Sequence, residues 1–248
     1  MSEPTYRAVS QDEVQAIAAR DRKFEGLLLS ADITLDQLDL ADSRFERCHF
    51  QIPTIRGADL SGSAFSDCRF EPARFANCKL GRARFVGCAL FDGGSKKGCT
   101  FAFCDLQTAE IIRSNLSGAS FEGCDLYGVK AMEGSFRGAK FSRSTFTKAI
   151  SKRSTLTKAT FDTCNFSFAD ISGLHLQGCA FLSCKLSEAS LIDADLSHAT
   201  LLRCALDRVE WDRAKLRQAD LRGSNLSGLN LAALADYAGL RISESEQA

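Results

Sequence analysis

ADLSGSAFSDCRFEPARFANCKLGRARFVGCAL, residues 58–90, decides the fold. Every fifth residue in it is large and apolar: Leu60, Phe65, Phe70, Phe75, Leu80, Phe85 and Leu90. Two residues before each stands a small one: Ala58, Ser63, Cys68, Ala73, Cys78, Ala83 and Cys88. On an α-helix a step of five advances about 140° net, so the apolar stripe winds round and buries nothing coherent. On a strand the same step changes face at every repeat. A solenoid uses it directly: each pentapeptide makes one side of a coil, both marked residues point inward, and stacked coils merge them into a continuous core.

The pattern extends in both directions. It begins at Leu35, steps eleven residues from Leu90 to Phe101, and then runs in fives to Leu231. Of its 39 positions, only Ala131 and Ser151 are not large and apolar, so chance is not a serious alternative. All eleven cysteines occupy the small position. Cys48, Cys68 and Cys88 are twenty apart, as are Cys164, Cys184 and Cys204, which predicts inward ladders of small fillers. No CxxC spacing or His pair points to a metal, and parallel side-chain vectors disfavour disulfides.

Segments such as ADLSG (58–62), SNLSG (114–118), ADLSH (194–198) and ADLRG (219–223) resemble the A-(D/N)-L-x-x consensus of pentapeptide repeat proteins. The resemblance implies an all-β solenoid, a right-handed quadrilateral β-helix with four pentapeptides per coil. About ten coils at the strand spacing would make a rod on the order of 50 Å long.

The ends leave the repeat, as a solenoid needs caps over its terminal coils. Ser10 and Glu13 form a capping box, and Val14, Ile17 and Ala18 follow at helical spacing, predicting a short helix to about Arg22. Leu229, Leu231, Leu234, Tyr237, Leu240 and Ile242 fall out of the five-residue register and predict a second short helix, a cap or a homodimer contact. The expected organisation is a capping-helix region at 1–23, the β-helix at 24–231, and a C-terminal cap or dimerisation helix with a polar tail at 232–248.

The long step after Leu90 contains FDGGSKKGCTF (91–101), whose Phe91, Asp92, Gly93, Gly94, Ser95, Lys96, Lys97 and Gly98 are loop chemistry. These residues should bulge from the rod. The segment resembles the first projecting loop of Qnr-type quinolone-resistance proteins, an aromatic–Asp–x–x–Ser–x–Lys–Gly–Cys pattern, through Asp92, Ser95, Lys97, Gly98 and Cys99. LYGVKA (126–131) is similar to the junction between the halves of such proteins, and Trp211 to their late Trp. Two features depart from the subfamily. About two more coils precede the loop, and no second loop interrupts the frame, only the polar Ser151.

Composition narrows function. The chain has 248 residues, with 31 Lys and Arg against 31 Asp and Glu, so it is not a polycationic nucleic-acid binder and direct nucleic-acid contact is disfavoured. Yet Arg137, Lys140, Arg143, Lys148, Lys152, Arg153 and Lys158 follow one another with no acid between 134 and 161. This is a solvated basic face or a basic patch on an otherwise acidic surface. Three histidines, expected to point outward and scattered along the rod, leave little acid–base chemistry, and no catalytic motif is present. Neither cofactor nor small-molecule substrate is expected, and the chain is not read as an enzyme. No secretory signal and no apolar run near 18 residues occur, so the expected setting is the cytoplasm, with reduced thiols and no membrane.

Two functions remain. The resemblance implies a protein that binds a type II DNA topoisomerase (DNA gyrase or topoisomerase IV), partly as a DNA mimic, protects it from fluoroquinolones or a peptide toxin, and pairs as a homodimer. The alternative is a structural or adaptor solenoid with another protein partner, for which outward Ile112, Leu182, Ile192 and Leu202 offer an apolar patch.

Overall fold

The small–x–large–x–x unit builds a parallel β-solenoid of about ten turns, described over residues 5–227 and 229–242 in a computed structural model. Each coil has four sides. The first face is a seven-stranded parallel sheet from Lys23–Glu25 to Ile150–Lys152, in which Phe45 stands over Phe24 and Phe65 over Phe45. The second begins as a four-stranded sheet, Arg7–Ala8, Leu27–Leu29, His49–Phe50 and Arg69–Phe70. It then continues as single bridges such as Asn115↔Ser135 and Asp195↔Lys215. The third is an eight-stranded parallel sheet from Thr54–Arg56 to Thr200–Leu202. The fourth is held by bridges alone, from Asp39↔Asp59 to Ala205↔Asn225.

The repeat's chemistry explains each position. The large residue is core: on the third face Phe75, Phe101, Phe121, Phe141, Phe161 and Phe181 stack with ring centroids 4.6–5.0 Å apart. Asp or Asn before the large residue accepts the N–H two residues on, as Asp59 does from Ser61 (3.1 Å) and Asn115 from Ser117 (3.1 Å), which makes the turn at the corner. The residue two after the large one is left-handed, whether glycine, as in Gly138 (φ 64°), or not, as in Arg113 (φ 49°). A non-glycine residue there costs about 1 kcal/mol, and it is held by the N–H and C=O bonds to the neighbouring coils, such as Arg113 N–H to Met132 O at 2.9 Å.

The cysteines are interior, unpaired and buried. Their thiols donate to the strand carbonyl one coil below: Cys68 to Phe45 O at 3.3 Å, Cys88 to Phe65 O at 3.3 Å, Cys184 to Phe161 O at 3.4 Å. Ser63 and Ser224 make the same bond at 2.7 and 2.6 Å. The small position therefore takes a small residue, and a hydroxyl or thiol there finds an acceptor.

One defect interrupts this core. The first face's column runs Phe85, Ile111, Ala131, Ser151, Ile171, and where Ala131 and Ser151 pair side by side an apolar cavity of about 40 Å³ remains. The Ser151 hydroxyl faces no hydrogen-bond partner.

The N-terminal cap follows expectation. Ser10 caps the helix Gln11–Ala19 by accepting from Glu13 N–H (3.3 Å), and Val14 and Ala18 are buried against the first coil. The Glu13 carboxylate pairs with Arg7 (2.6 Å), so the capping box is closed on one side only. At the other end the expected second helix is absent among the described residues. Leu231–Ala233 form a single 3-10 turn, and the chain then rejoins the stack through Lys215↔Asp236 and Asp220↔Arg241. The reason lies in ADYAG (235–239), a further pentapeptide one residue out of frame, with Asp236 accepting from Ala238 N–H (3.0 Å) and Gly239 left-handed (φ 71°). Residues 243–248 of the predicted polar tail lie outside the described residues.

Candidate partner-binding surface

Four surface features stand out on the rod. The most distinctive is the insertion after Leu90. The chain leaves the second face at Leu90 and enters the third at Phe101, so six residues are inserted into one ordinary five-residue step. With part of the ordinary step, they make residues 91–98 into an antiparallel hairpin, Phe91–Asp92 against Lys97–Gly98. The Asp92 carboxylate accepts Gly94 N–H (3.2 Å) and Ser95 N–H (2.9 Å) across its tip. Bonding from Ser95, and then Gly94, holds the Asp92 carboxyl below the usual carboxylate range. The base is fixed by close approach. A Cβ on Gly98 would stand 2.4 Å from Ala119 N and 2.6 Å from Ser117 O, so only glycine lets the hairpin lie against the next coil. Gly93, Gly94, Ser95, Lys96 and Lys97 are exposed, while Phe91 is half-buried.

The second feature is acidic. Down the fourth face the bridge residues are Asp39, Asp59, Lys79, Asp105 and Asp125 in successive coils. Asp39 pairs with Arg22 (2.9 Å) and Asp59 with Lys79 (3.1 Å), and Asp125 accepts from Gln107 (2.8 Å). Beyond Asp125 the same positions read Thr145, Asn165, Lys185, Ala205 and Asn225. The acidic stripe is therefore confined to the N-terminal half.

The third is apolar. Val86, Ile112 and Met132 stack on the outside of the first face, with Ile150 in the neighbouring column beside the cavity. Leu182 and Leu202 stack on the third face, and Phe103 and Phe168 stand exposed at other corners. The fourth is the last coil, where Leu231 and Tyr237 are exposed while Leu234 is buried and Leu229, Leu240 and Ile242 pack on the core.

The seven basic residues of 134–161 lie on no single face. Arg143 pairs with Glu122, Lys152 with Asp170 (2.5 Å) and Arg153 with Glu133 (3.4 Å), while Lys148 sits over the Tyr127 ring (5.9 Å). A run in a solenoid sequence wraps round the rod, which is why one-dimensional charge counting overstates it. Arg137, Lys140 and Lys158 remain together at the corner between the second and third faces, exposed and without a carboxylate partner among the described residues.

His49 differs from expectation. It is buried, not outward, because Tyr6, just before the N-terminal strand, lies over it with ring centroids 5.1 Å apart. Burial, with Arg69 nearby, pulls its pKa below the usual histidine value. His175 and His198 stand exposed on separate coils. Among the described residues no group of three or more His, Cys, Asp or Glu side chains could hold a metal ion, and no helix is long and apolar enough to cross a membrane.

Family models for the pentapeptide repeat region match residues 154–231, and models for nine and eight copies of the repeat match 45–93 and 97–130. The chain is a pentapeptide repeat protein. Among solved structures it is similar to two trypsin-treated forms of QnrB1, a plasmid-mediated fluoroquinolone resistance protein. One is 21% identical with a TM-score of 0.50, over 79% of this chain and 92% of that one. The other is 20% identical with a TM-score of 0.50, over 90% and 92%. HetL, a pentapeptide repeat protein involved in heterocyst differentiation regulation in the cyanobacterium Nostoc, is 20% identical over 94% of each chain with a TM-score of 0.40. No curated protein matches the sequence. For a pentapeptide repeat protein the likeness to QnrB1 shows the fold alone, and the partner must be argued from the surface.

Proposed function

We propose that this pentapeptide repeat protein binds a bacterial type II DNA topoisomerase, DNA gyrase or topoisomerase IV, and protects it from poisons such as fluoroquinolones or a peptide toxin. The observation that carries the proposal is the hairpin 91–98, a projection bonded across its tip at one place on the rod. Its sequence resembles the first loop of Qnr-type proteins, and QnrB1, which shares the fold, is a fluoroquinolone resistance protein. Asp105 and Asp125 on the fourth face, which no cation pairs among the described residues, support partial DNA mimicry, since a cationic DNA-binding saddle would accept carboxylates. The apolar last coil, with Leu231 and Tyr237, is the surface on which two copies would pair. On this reading the chain acts in the cytoplasm as a binder, without cofactor, catalysis or small-molecule substrate.

The binding step is tested directly by measuring association of the full chain with purified gyrase, with and without duplex DNA as competitor. Micromolar or tighter binding that DNA displaces, and that deletion of 93–97 weakens, is the expected result. Absence of binding by both proteins would sink the proposal. The second reading, an adaptor for another protein, is favoured by the Val86–Ile112–Met132 stripe. On that reading Met132→Glu would abolish partner capture and loop deletion would not.

A further inference from the structure

The hairpin and the unpaired cations share one edge of the rod. Residues Gly118, Gly138, Lys158 and Gly178 stack at the corner between the second and third faces through N–H bonds to the next coil, Gly118 to Arg137 O (2.9 Å), Gly138 to Thr157 O (3.1 Å) and Lys158 to Gln177 O (3.1 Å). The hairpin leaves the rod at the same corner, one coil before Gly118, and rests on it: a Cβ on Gly118 would lie 3.8 Å from the Phe91 ring and 3.9 Å from Lys96 O. Lys96 and Lys97 thus sit two coils, about 10 Å at the strand spacing, before Arg137 and Lys140, with Lys158 one coil further.

We propose that this edge, formed by Lys96, Lys97, Arg137, Lys140 and Lys158, binds a flexible acidic polypeptide segment. Three observations converge on it. All five cations are exposed, and none is paired with a carboxylate among the described residues, whereas the other cations of 134–161 are paired or lie on a ring. The corner between them is made of glycine and short hydroxyl residues: nothing lies within 4 Å of a Cβ on Gly138, and Ser117 and Ser135 bond each other (2.9 Å) alongside. A chain can therefore reach the cations without displacing protein. The nearest acid of the hairpin, Asp92, is turned into its own loop by Gly94 and Ser95.

A flexible peptide fits this edge better than a duplex. The hairpin stands across the edge, so a rigid cylinder laid along the corner meets it, while a chain can bend past. Five cations also give only a shallow nucleic-acid salt dependence, and weak binding at physiological salt. Opposite charge along a flexible segment adapts to four lysines and one arginine, whose heads are mobile. This surface is distinct from the acidic stripe on the fourth face and does not rest on the topoisomerase reading.

The test uses the full chain and two fluorescent probes, an oligo-glutamate peptide and a duplex DNA of equal charge, in about 50 mM salt. The edge variant carries Arg137→Gln, Lys140→Gln and Lys158→Gln, and Lys148→Gln on the opposite corner is the control. The proposal predicts that the peptide binds more tightly than DNA, that the edge variant weakens peptide binding about tenfold, and that Lys148→Gln leaves it unchanged. An unaltered circular dichroism melt confirms that the edge variant is folded. Peptide that does not bind, or binds the edge variant and wild type equally, overturns the proposal. DNA that binds more tightly than peptide also overturns it and makes the edge a phosphate-backbone site. Gyrase is absent from the assay, so none of these outcomes touches the topoisomerase reading.

Discussion

Ser151 and the cysteines show how one position in the repeat sets local behaviour. A buried hydroxyl without a partner beside an apolar cavity of about 40 Å³ is a standing cost. Ser151→Val fills the space with a strand-favouring side chain and removes the unsatisfied oxygen. It should stabilise the rod by about 1–2 kcal/mol, read as a higher denaturant midpoint; an unchanged or lower midpoint would mean the cavity is already closed. The thiols are the converse case, buried and satisfied. Burial pushes Cys99 up to about 11 and Cys179 up to about 12. All eleven cysteines are buried, so at pH 8 the native protein should leave them unreacted with a thiol reagent, and guanidinium should expose all of them. Rapid native labelling of even one would contradict the inward ladders. At this scale the sequence was legible: small and large inward positions followed from spacing alone. His49 was not, because its cover, Tyr6, comes from outside the repeat and no periodicity announces it.

The elements divide in the same way. The strand sides and corners follow from the pentapeptide, whose Asp or Asn supplies the turn and whose apolar residue supplies the core. The hairpin was legible as a loop from its glycines and lysines, while its tight seat on Ser117–Ala119 required coordinates. Gly98→Ala should drive its Cβ into that backbone and loosen the hairpin, giving faster tryptic cleavage at Lys96 and Lys97 with the rod intact. The hairpin should also respond to acid. Asp92 is held below its unfolded value, so its contribution is present above that value and is lost as pH falls through the lowered one. Asp92→Asn should remove most of that dependence, and tryptic protection that is the same in both proteins after a pulse at low pH would argue against it. The C-terminal helix failed as an expectation because a one-residue slip hides ADYAG from a fixed frame of five. The apolar residues then look helical, although Asp236 and Gly239 carry the repeat's own turn chemistry.

Across the whole molecule, the rod separates its charges in three dimensions in ways its sequence does not reveal. Four aspartates and one lysine line the fourth face of the N-terminal half, and Arg137, Lys140 and Lys158 stand unpaired among the described residues at the corner between the second and third faces, beside the hairpin. A run of seven basic residues resolves into three ion pairs, a cation over a ring, and three free side chains. Leu231 and Tyr237 are exposed on the last described coil, and the account expects two rods to meet there. Wild type should sediment as a dimer, and Leu231→Glu with Tyr237→Glu as a monomer of unchanged thermal stability; a wild-type monomer at tens of micromolar would remove pairing from the account. The central claim is protection of a topoisomerase, and one titration tests it most directly: gyrase, DNA and a fluoroquinolone, with increasing amounts of this protein, scored for supercoiling and for drug-stabilised cleavage. The account predicts recovered supercoiling with falling cleavage at protein levels that do not inhibit gyrase, and loss of that recovery when residues 93–97 are deleted. Unchanged cleavage at every concentration would contradict it.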